Sequence, residues 1–150
     1  MDRVKTESAK VLTEMVMAVF RLNGSILRAA EVISAPTALT PARWQVLGAV
    51  LDGPKTVSQI ARNLGLTRQS VQRLADALVA ENMASYIQNP AHVRANLCAV
   101  TDYGLEVIGQ LTDDQSAWAN AITDSMDEKE LHSCLTTIRE LIQRIDAKES

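Results

Sequence analysis

Apolar residues recur at three- and four-residue steps over most of this 150-residue chain, and short stretches rich in Pro, Gly, Asn and Thr interrupt them. The first run predicts one long helix from about Glu7 to Ala35. Leu12, Val16, Val19, Leu22, Ile26, Ala30 and Ile33 form its stripe, which Val11, Met15, Phe20 and Leu27 widen on both sides. A stripe that wide on a single helix calls for more than one neighbour. Gly24 is a weak point inside it, and Ala35-Pro36 ends it because a residue before proline is pushed out of the α region.

Thr40-Pro41 opens the next helix, with threonine as cap and proline where no amide donor is missed. Its expected buried side is Trp44, Leu47, Val50 and Leu51, and Asp52-Gly53-Pro54 stops it. Thr56 to Asn82 then reads as two short helices about a tight turn. Thr56 and Gln59 make a capping box, and Ile60, Ala61 and Leu64 form an apolar face. Gly65 supplies a left-handed terminus, Leu66 fills the corner and Thr67 caps the second helix. Val71, Leu74, Leu78 and Val79 point inward in that second helix, and Asn82 serves as its left-handed end.

Ala84–Ile87 and Asn96–Val100 are strand candidates about a Gln88-Asn89-Pro90-Ala91 turn, predicting a two-stranded hairpin that leans on the helices. Thr101 caps a further helix to about Thr123, with Leu105, Ile108, Leu111, Trp118 and Ile122 on its apolar side. Ser125 and Glu128 are expected to box the start of a last helix ending near Ala147. There Leu131, Leu135, Ile138, Ile142 and Ile145 form a heptad-like seam suited to pairing with another helix.

Two helices about a Gly turn followed by a hairpin form a winged helix-turn-helix. The first turns of its second helix carry Arg68, Gln69, Ser70, Gln72 and Arg73, most of them pointing away from the apolar face. Arg suits phosphates or guanine edges and Gln suits adenine edges. Base-edge reading is assigned to Arg68, Gln69, Gln72 and Arg73, while Thr67 and Ser70 serve phosphates or the cap. On the hairpin loop Arg94 suits the narrow minor groove or a phosphate, with His92 and Asn89 as lesser contacts.

Charge strengthens this reading only where it is resolved along the chain. The formal net charge is −3, which does not suggest a nucleic-acid binder. Between Pro41 and Thr101, however, six cations face three acids, a local +3, and the remainder holds nine cations and fifteen acids, −6. A composition 47% hydrophobic and 22% charged, with five aromatic residues, suits one domain or two small lobes built from helices. Cys98 and Cys134 match no metal or redox spacing, which points to a reducing compartment. The charged N-terminus lacks an apolar signal region, no apolar run reaches membrane-spanning length, and a cytoplasmic location is expected.

An enzyme is not expected. His92 and His132 neighbour no nucleophile or metal-ligand partner, and there is no glycine-rich phosphate loop, so neither metal nor cofactor is expected. Two other readings remain: a thiol sensor using Cys98 or Cys134, and a winged-helix module that binds protein.

The order of elements resembles the MarR family of winged helix-turn-helix transcriptional regulators over most of the chain. LTPARWQVL is similar to the family's entry to its second helix, and VSQIARNLGLTRQSVQRLADAL to its paired DNA-binding helices. Arg94, Leu97, Val100-Thr101 and Gly104 are similar to its wing and the start of the following helix. Asn89 and His92 stand where many family wings carry aspartates, which removes two negative charges and an acidic partner for the arginine. The resemblance implies a mainly α fold with a small β-hairpin wing and about six helices in an intertwined homodimer. Residues 1–38 and 102–150 would then dimerise around a DNA-binding lobe at 39–101. It implies a near-palindromic duplex operator and repression relieved by a small lipophilic or phenolic effector. Met15, Val19, Trp44 and Trp118 are the candidate effector residues, and the same residues suit an ordinary core.

Overall fold

The computed structural model describes residues 4–150. The chain divides into two compact units, one ending at Asp113 and the other running from Asp114 to Ser150.

Helix α1, Glu7–Ser34, begins where the Thr6 hydroxyl accepts from the Ala9 amide at 3.2 Å. It stops one residue short of the expected end. Thr37 donates both its amide (2.9 Å) and its hydroxyl (2.8 Å) to the Ser34 carbonyl, closing the helix before Pro36. Much of the predicted stripe is solvent-exposed: Phe20 is 67% accessible, Val11 55% and Leu22 53%.

Helix α2, Pro41–Ala49, is capped by Thr40 as predicted. Its buried side differs from the expectation. Val46 is fully buried along with Leu47, because α2 packs against α1, α3 and α4 at once and hides more than one face. Leu51 is 44% exposed, since the helix ends at Ala49 and Leu51 falls in the turn beyond it.

Helix α3, Val57–Leu64, and helix α4, Arg68–Ala80, form the predicted helix-turn-helix. Thr56 and Gln59 exchange both capping-box bonds, at 3.2 and 2.9 Å. Gly65 takes φ +65°, which lets Leu66 donate its amide to the Ala61 carbonyl at 2.9 Å and satisfy a helix-end acceptor. Val71, Ala75 and Leu78 of α4 are fully buried against Ile60 and Leu47 in one core cluster. Burial of this kind is worth roughly 1.5–3 kcal/mol for each large aliphatic side chain.

The wing is a three-stranded antiparallel sheet in the order β1-β3-β2, where β1 is Lys55–Thr56, β2 is Ala84–Ile87 and β3 is Leu97–Val100. The expected hairpin is β2 with β3, in the register Ala84↔Val100 to Ile87↔Leu97. The third strand corrects the two-stranded expectation. Thr56 must be extended to cap α3 (φ −70°, ψ 155°), and that extension pairs Lys55 with Cys98 and Thr56 with Leu97. Two residues are too few for any period to announce.

Helix α5, Asp102–Thr123, starts where the Gly104 amide donates to the Thr101 hydroxyl at 3.0 Å. Helix α6, Glu128–Glu149, does not start with the expected Ser125–Glu128 box. Ser125 takes φ +64° in the turn after α5, and Asp127 is the cap, accepting from the Lys129 amide at 2.8 Å. No α6 residue is fully buried, and Leu135, Ile142 and Ile145 are 41–53% exposed. Among the described residues no helix is long and apolar enough to cross a membrane.

Candidate nucleic-acid interface

The burial of Val71, Ala75 and Leu78 fixes the rotation of α4. Because these residues face the core, Arg68, Gln69, Gln72 and Arg73 are left on the solvent side. Thr67 is the cap and accepts from the Ser70 amide at 3.1 Å, and Ser70 is half-buried. These two are thus tied to the helix start, where their remaining polar capacity suits a phosphate.

Arg68, Gln69 and Gln72 line a cleft of about 570 Å³ together with Thr56, Val57 and Ser58 of the α3 start and Tyr86, Arg94, Ala95 and Asn96 of the wing. The fold therefore brings a cation from α4 and a cation from the wing to one concavity, although 26 positions separate them. Arg73, Asn89 and His92 do not line it. The turn between β2 and β3 is built by Asn89, whose side-chain oxygen accepts from the Ala91 amide at 3.0 Å and whose carbonyl accepts from the His92 amide at 3.2 Å. Asn89 is therefore a turn-former first, while His92 and Arg94 are exposed on the same loop.

Among the described residues no carboxylate lies within ion-pair distance of Arg68, Arg73 or Arg94. Arg68 and Arg94 at the cleft, with Arg73 exposed further along α4, give a positive field with no ion-paired carboxylate to compete with an incoming phosphate. A second depression, of about 430 Å³, is lined by Pro54, Lys55, Gln59, Arg62 and Asn63. Lys55 there is ion-paired with Asp52, whose carboxyl it holds below the usual carboxylate range.

One cluster escaped the sequence reading. Gln72 Nε2 lies 3.0 Å from both Asp76 Oδ1 and Tyr86 Oη, and Tyr86 Oη lies 2.5 Å from Asp76 Oδ1. The Gln72–Asp76 step is an ordinary helical i,i+4 pair and was open to inspection. Tyr86 arrives from the wing, and nothing local in the sequence places it there.

Cys98 is fully buried on β3, and burial pushes its thiol above the ordinary range. It lacks the exposed, cationic setting that a reactive thiol needs, whereas Cys134 is exposed. A raised thiol pKa means less thiolate at neutral pH than a free cysteine has. Native protein treated with iodoacetamide at neutral pH should therefore gain one label, at Cys134, and denatured protein two. Intact-mass analysis decides this, and two labels on native protein would contradict the buried Cys98.

Of the candidate effector residues, Met15 is half-buried and Val19 exposed on α1, and Trp44 packs half-buried against the core. Trp118 is half-buried within the unit that begins at Asp114.

Comparison with known proteins bears on this geometry. The chain is 36% identical over 137 residues to protein Rv2011c of Mycobacterium tuberculosis strain ATCC 25618 / H37Rv, covering 91% of this chain and 96% of that one. Protein Mb2034c of Mycobacterium bovis gives the same values. Residues 39–95, which hold α2, the helix-turn-helix and the wing up to Arg94, match the model of the MarR family. The chain belongs to the MarR family. Its fold is that of MarR-family transcriptional regulators. CouR from Rhodococcus jostii RHA1, solved bound to p-coumaroyl-CoA, superposes with a TM-score of 0.78 at 18% identity, over 85% of this chain and 91% of CouR. The transcriptional regulator BldR from Sulfolobus solfataricus gives 0.77 at 18% identity, over 91% and 99%. A MarR/EmrR-family regulator from Acinetobacter sp. ADP1 gives 0.79 at 14%, over 91% and 98%.

Proposed function

We propose that this MarR-family protein is a sequence-specific DNA-binding regulator without enzymatic activity, which acts in the cytoplasm as a homodimer on a near-palindromic operator. The observation that carries the proposal is the shared cleft, in which Arg68, Gln69 and Gln72 of an exposed helix face meet Arg94 of the wing, and neither arginine has an ion-pair partner among the described residues. In this arrangement α4 enters the major groove, where Arg68, Gln69, Gln72 and Arg73 meet base edges. Arg94 follows the backbone or the adjacent minor groove. Thr67 and Ser70 contact phosphate at the helix start, and His92 and Asn89 add weaker contacts on the wing.

Residues 1–38 and 102–150 are proposed to dimerise, leaving residues 39–101 as the reading lobe. The exposed apolar residues of α1 and α6 support this, because a lone chain would leave Phe20, Leu22, Ile142 and Ile145 against water. Two lobes held by such an interface would read half-sites about 10 base pairs apart.

The regulator is further proposed to repress transcription until a small lipophilic or phenolic effector binds, with Met15, Val19, Trp44 and Trp118 as candidate contacts. That CouR was crystallised with p-coumaroyl-CoA, a phenolic thioester, supports this effector class.

The proposal is tested by selecting bound duplexes from random DNA and titrating the winner at several salt concentrations. If Arg94 meets phosphate, Arg94→Ala should weaken binding to all sequences alike. It should also flatten the slope of log K against log salt by about 0.9 per half-site. An unchanged affinity and slope at moderate salt would remove that role.

A further inference from the structure

Of the four side chains assigned to base edges, Gln72 alone is held by the protein itself. Among the described residues, those of Arg68, Gln69 and Arg73 make no hydrogen bond, whereas Gln72 Nε2 lies 3.0 Å from both Asp76 Oδ1 and Tyr86 Oη. Chemistry fixes which end of the amide is held. An ionised carboxylate only accepts, so the nitrogen faces Asp76. Tyr86 gives its own proton to Asp76 Oδ1 at 2.5 Å and so meets the amide as an acceptor. The two partners stand close enough for one N–H to serve both, which leaves the amide a second hydrogen and its carbonyl oxygen for a base edge. The charge states agree. The hydrogen bond from Tyr86, and then that from Gln72, hold Asp76 below the usual carboxylate range. Burial, and then the bond to Asp76, push the Tyr86 hydroxyl well above its ordinary value.

These bonds reach Gln72 from two elements. Asp76 stands one turn further along α4, and Tyr86 comes from β2. Among the described residues, the bonds from Tyr86 to Asp76 and from Gln72 to Tyr86 are the only side-chain hydrogen bonds between α4 and the wing. Gln72 nevertheless stays exposed and lines the cleft. A glutamine free in solvent loses its rotamer freedom when it meets a base, which weakens binding about two- to tenfold. A glutamine already pinned by its nitrogen has met much of that loss on folding. Resting on the DNA-reading function proposed above, we infer that Asp76 and Tyr86 are positioning residues that set Gln72 in its base-reading orientation before DNA arrives. The wing's β2 thereby tunes one base preference of α4 without touching that base.

Selection from random duplexes with wild type and Gln72→Ala identifies the base-pair position whose preference depends on Gln72. Dissociation constants are then measured on the best duplex and on one changed at that position alone, and their ratio is the preference. The double variant Asp76→Ala/Tyr86→Phe releases the amide from both partners and should shrink that ratio about two- to tenfold. Each single variant leaves one partner and should fall between. The charge lost with Asp76 acts on both duplexes alike and cancels in the ratio. Preferences at the other positions should stay as they are. Added to Gln72→Ala, the two substitutions should leave the ratio where Gln72→Ala alone puts it. Residues that merely supported the fold would weaken both duplexes together and leave the ratio unmoved.

The inference is overturned by a double-variant ratio less than about twofold below wild type, or above it. An equal fall in the Gln72→Ala background overturns it too, since the two residues would then act elsewhere. So does a Gln72→Ala profile identical to wild type. Each of these results leaves DNA reading standing. A wild type that selects no sequence at all ends that proposal and this inference together.

Discussion

Gly104→Ala should unfold this protein more readily than any other single-methyl change in it. A Cβ at position 104 would stand 2.1 Å from the Met83 carbonyl oxygen and 2.9 Å from Val100 Cγ2. The Met83 oxygen is poorly placed to retreat, because it accepts the Thr101 amide at 3.1 Å on a fully buried residue. The same corner is held by the Thr101 hydroxyl, which donates to the Asn82 carbonyl at 2.6 Å and accepts the Gly104 amide at 3.0 Å. Relief therefore means pulling the start of α5 off the turn that joins α4 to β2. Overpacking of this severity costs about 3 kcal/mol or more, and thermal unfolding followed by circular dichroism should show the midpoint falling by roughly 10 °C. Gly109→Ala is the matched control. It lies in the same helix, a Cβ there meets nothing within 4 Å, and the better helix former should leave the midpoint unchanged or raise it. A Gly104→Ala midpoint within about 2 °C of wild type, less than 1 kcal/mol on this scale, would contradict the crowded corner.

Arg68→Ala should produce the largest loss of sequence discrimination among the single variants of α4. Arg68 is the first helical residue after the Thr67 cap, is exposed, lines the cleft shared with Arg94 and has no acidic partner among the described residues. A guanidinium so placed is free to take guanine O6 and N7 together, a contact worth roughly 1–3 kcal/mol of discrimination per half-site. The variant should bind its best duplex correspondingly more weakly. Its selected sequences should show one position per half-site relaxed while the others keep their preference. A uniform loss at every position would instead make Arg68 a phosphate contact. Arg68→Lys separates the two outcomes, since lysine replaces the charge but not the rigid two-pronged geometry.

Local chemistry accounts for what the sequence made legible. A capping box needs only Thr56 and Gln59, a left-handed terminus needs only Gly65 or Asn82, and a helix start needs only Thr67 or Thr101. Each of these stands where it was expected. The exposed side of α4 was equally readable, because the spacing of Val71 and Leu78 determines which residues remain outside. The illegible parts depend on neighbours distant in the chain. Lys55–Thr56 becomes a strand only because Leu97–Cys98 passes beside it. Val46 is buried because α2 is enclosed on several sides, which its own period does not report. Ser125 and Asp127 both precede acidic residues, and the left-handed turn at Ser125 decided between two plausible caps. Residue type and face suffice to propose Arg68 and Arg94 as DNA contacts, but the coupling of Gln72 to Tyr86 needs the wing folded against α4.

The wing turn forms without an aspartate. Asn89 still builds the turn through its side-chain oxygen, which accepts the Ala91 amide as a carboxylate would. The turn is thus built with no acidic side chain on the wing, and Arg94 has no ion-pair partner among the described residues.

Hydroxyl-radical footprinting of the wild-type protein on its best selected duplex decides whether two α4 helices of a dimer read the DNA together. Two protected blocks about 10 base pairs apart are expected, related by the duplex's approximate two-fold symmetry. Saturation should come at one dimer per duplex, and both blocks should vanish together in Arg68→Ala at the same concentration. A single block bound by one chain, or cleavage unchanged at low salt, would contradict it.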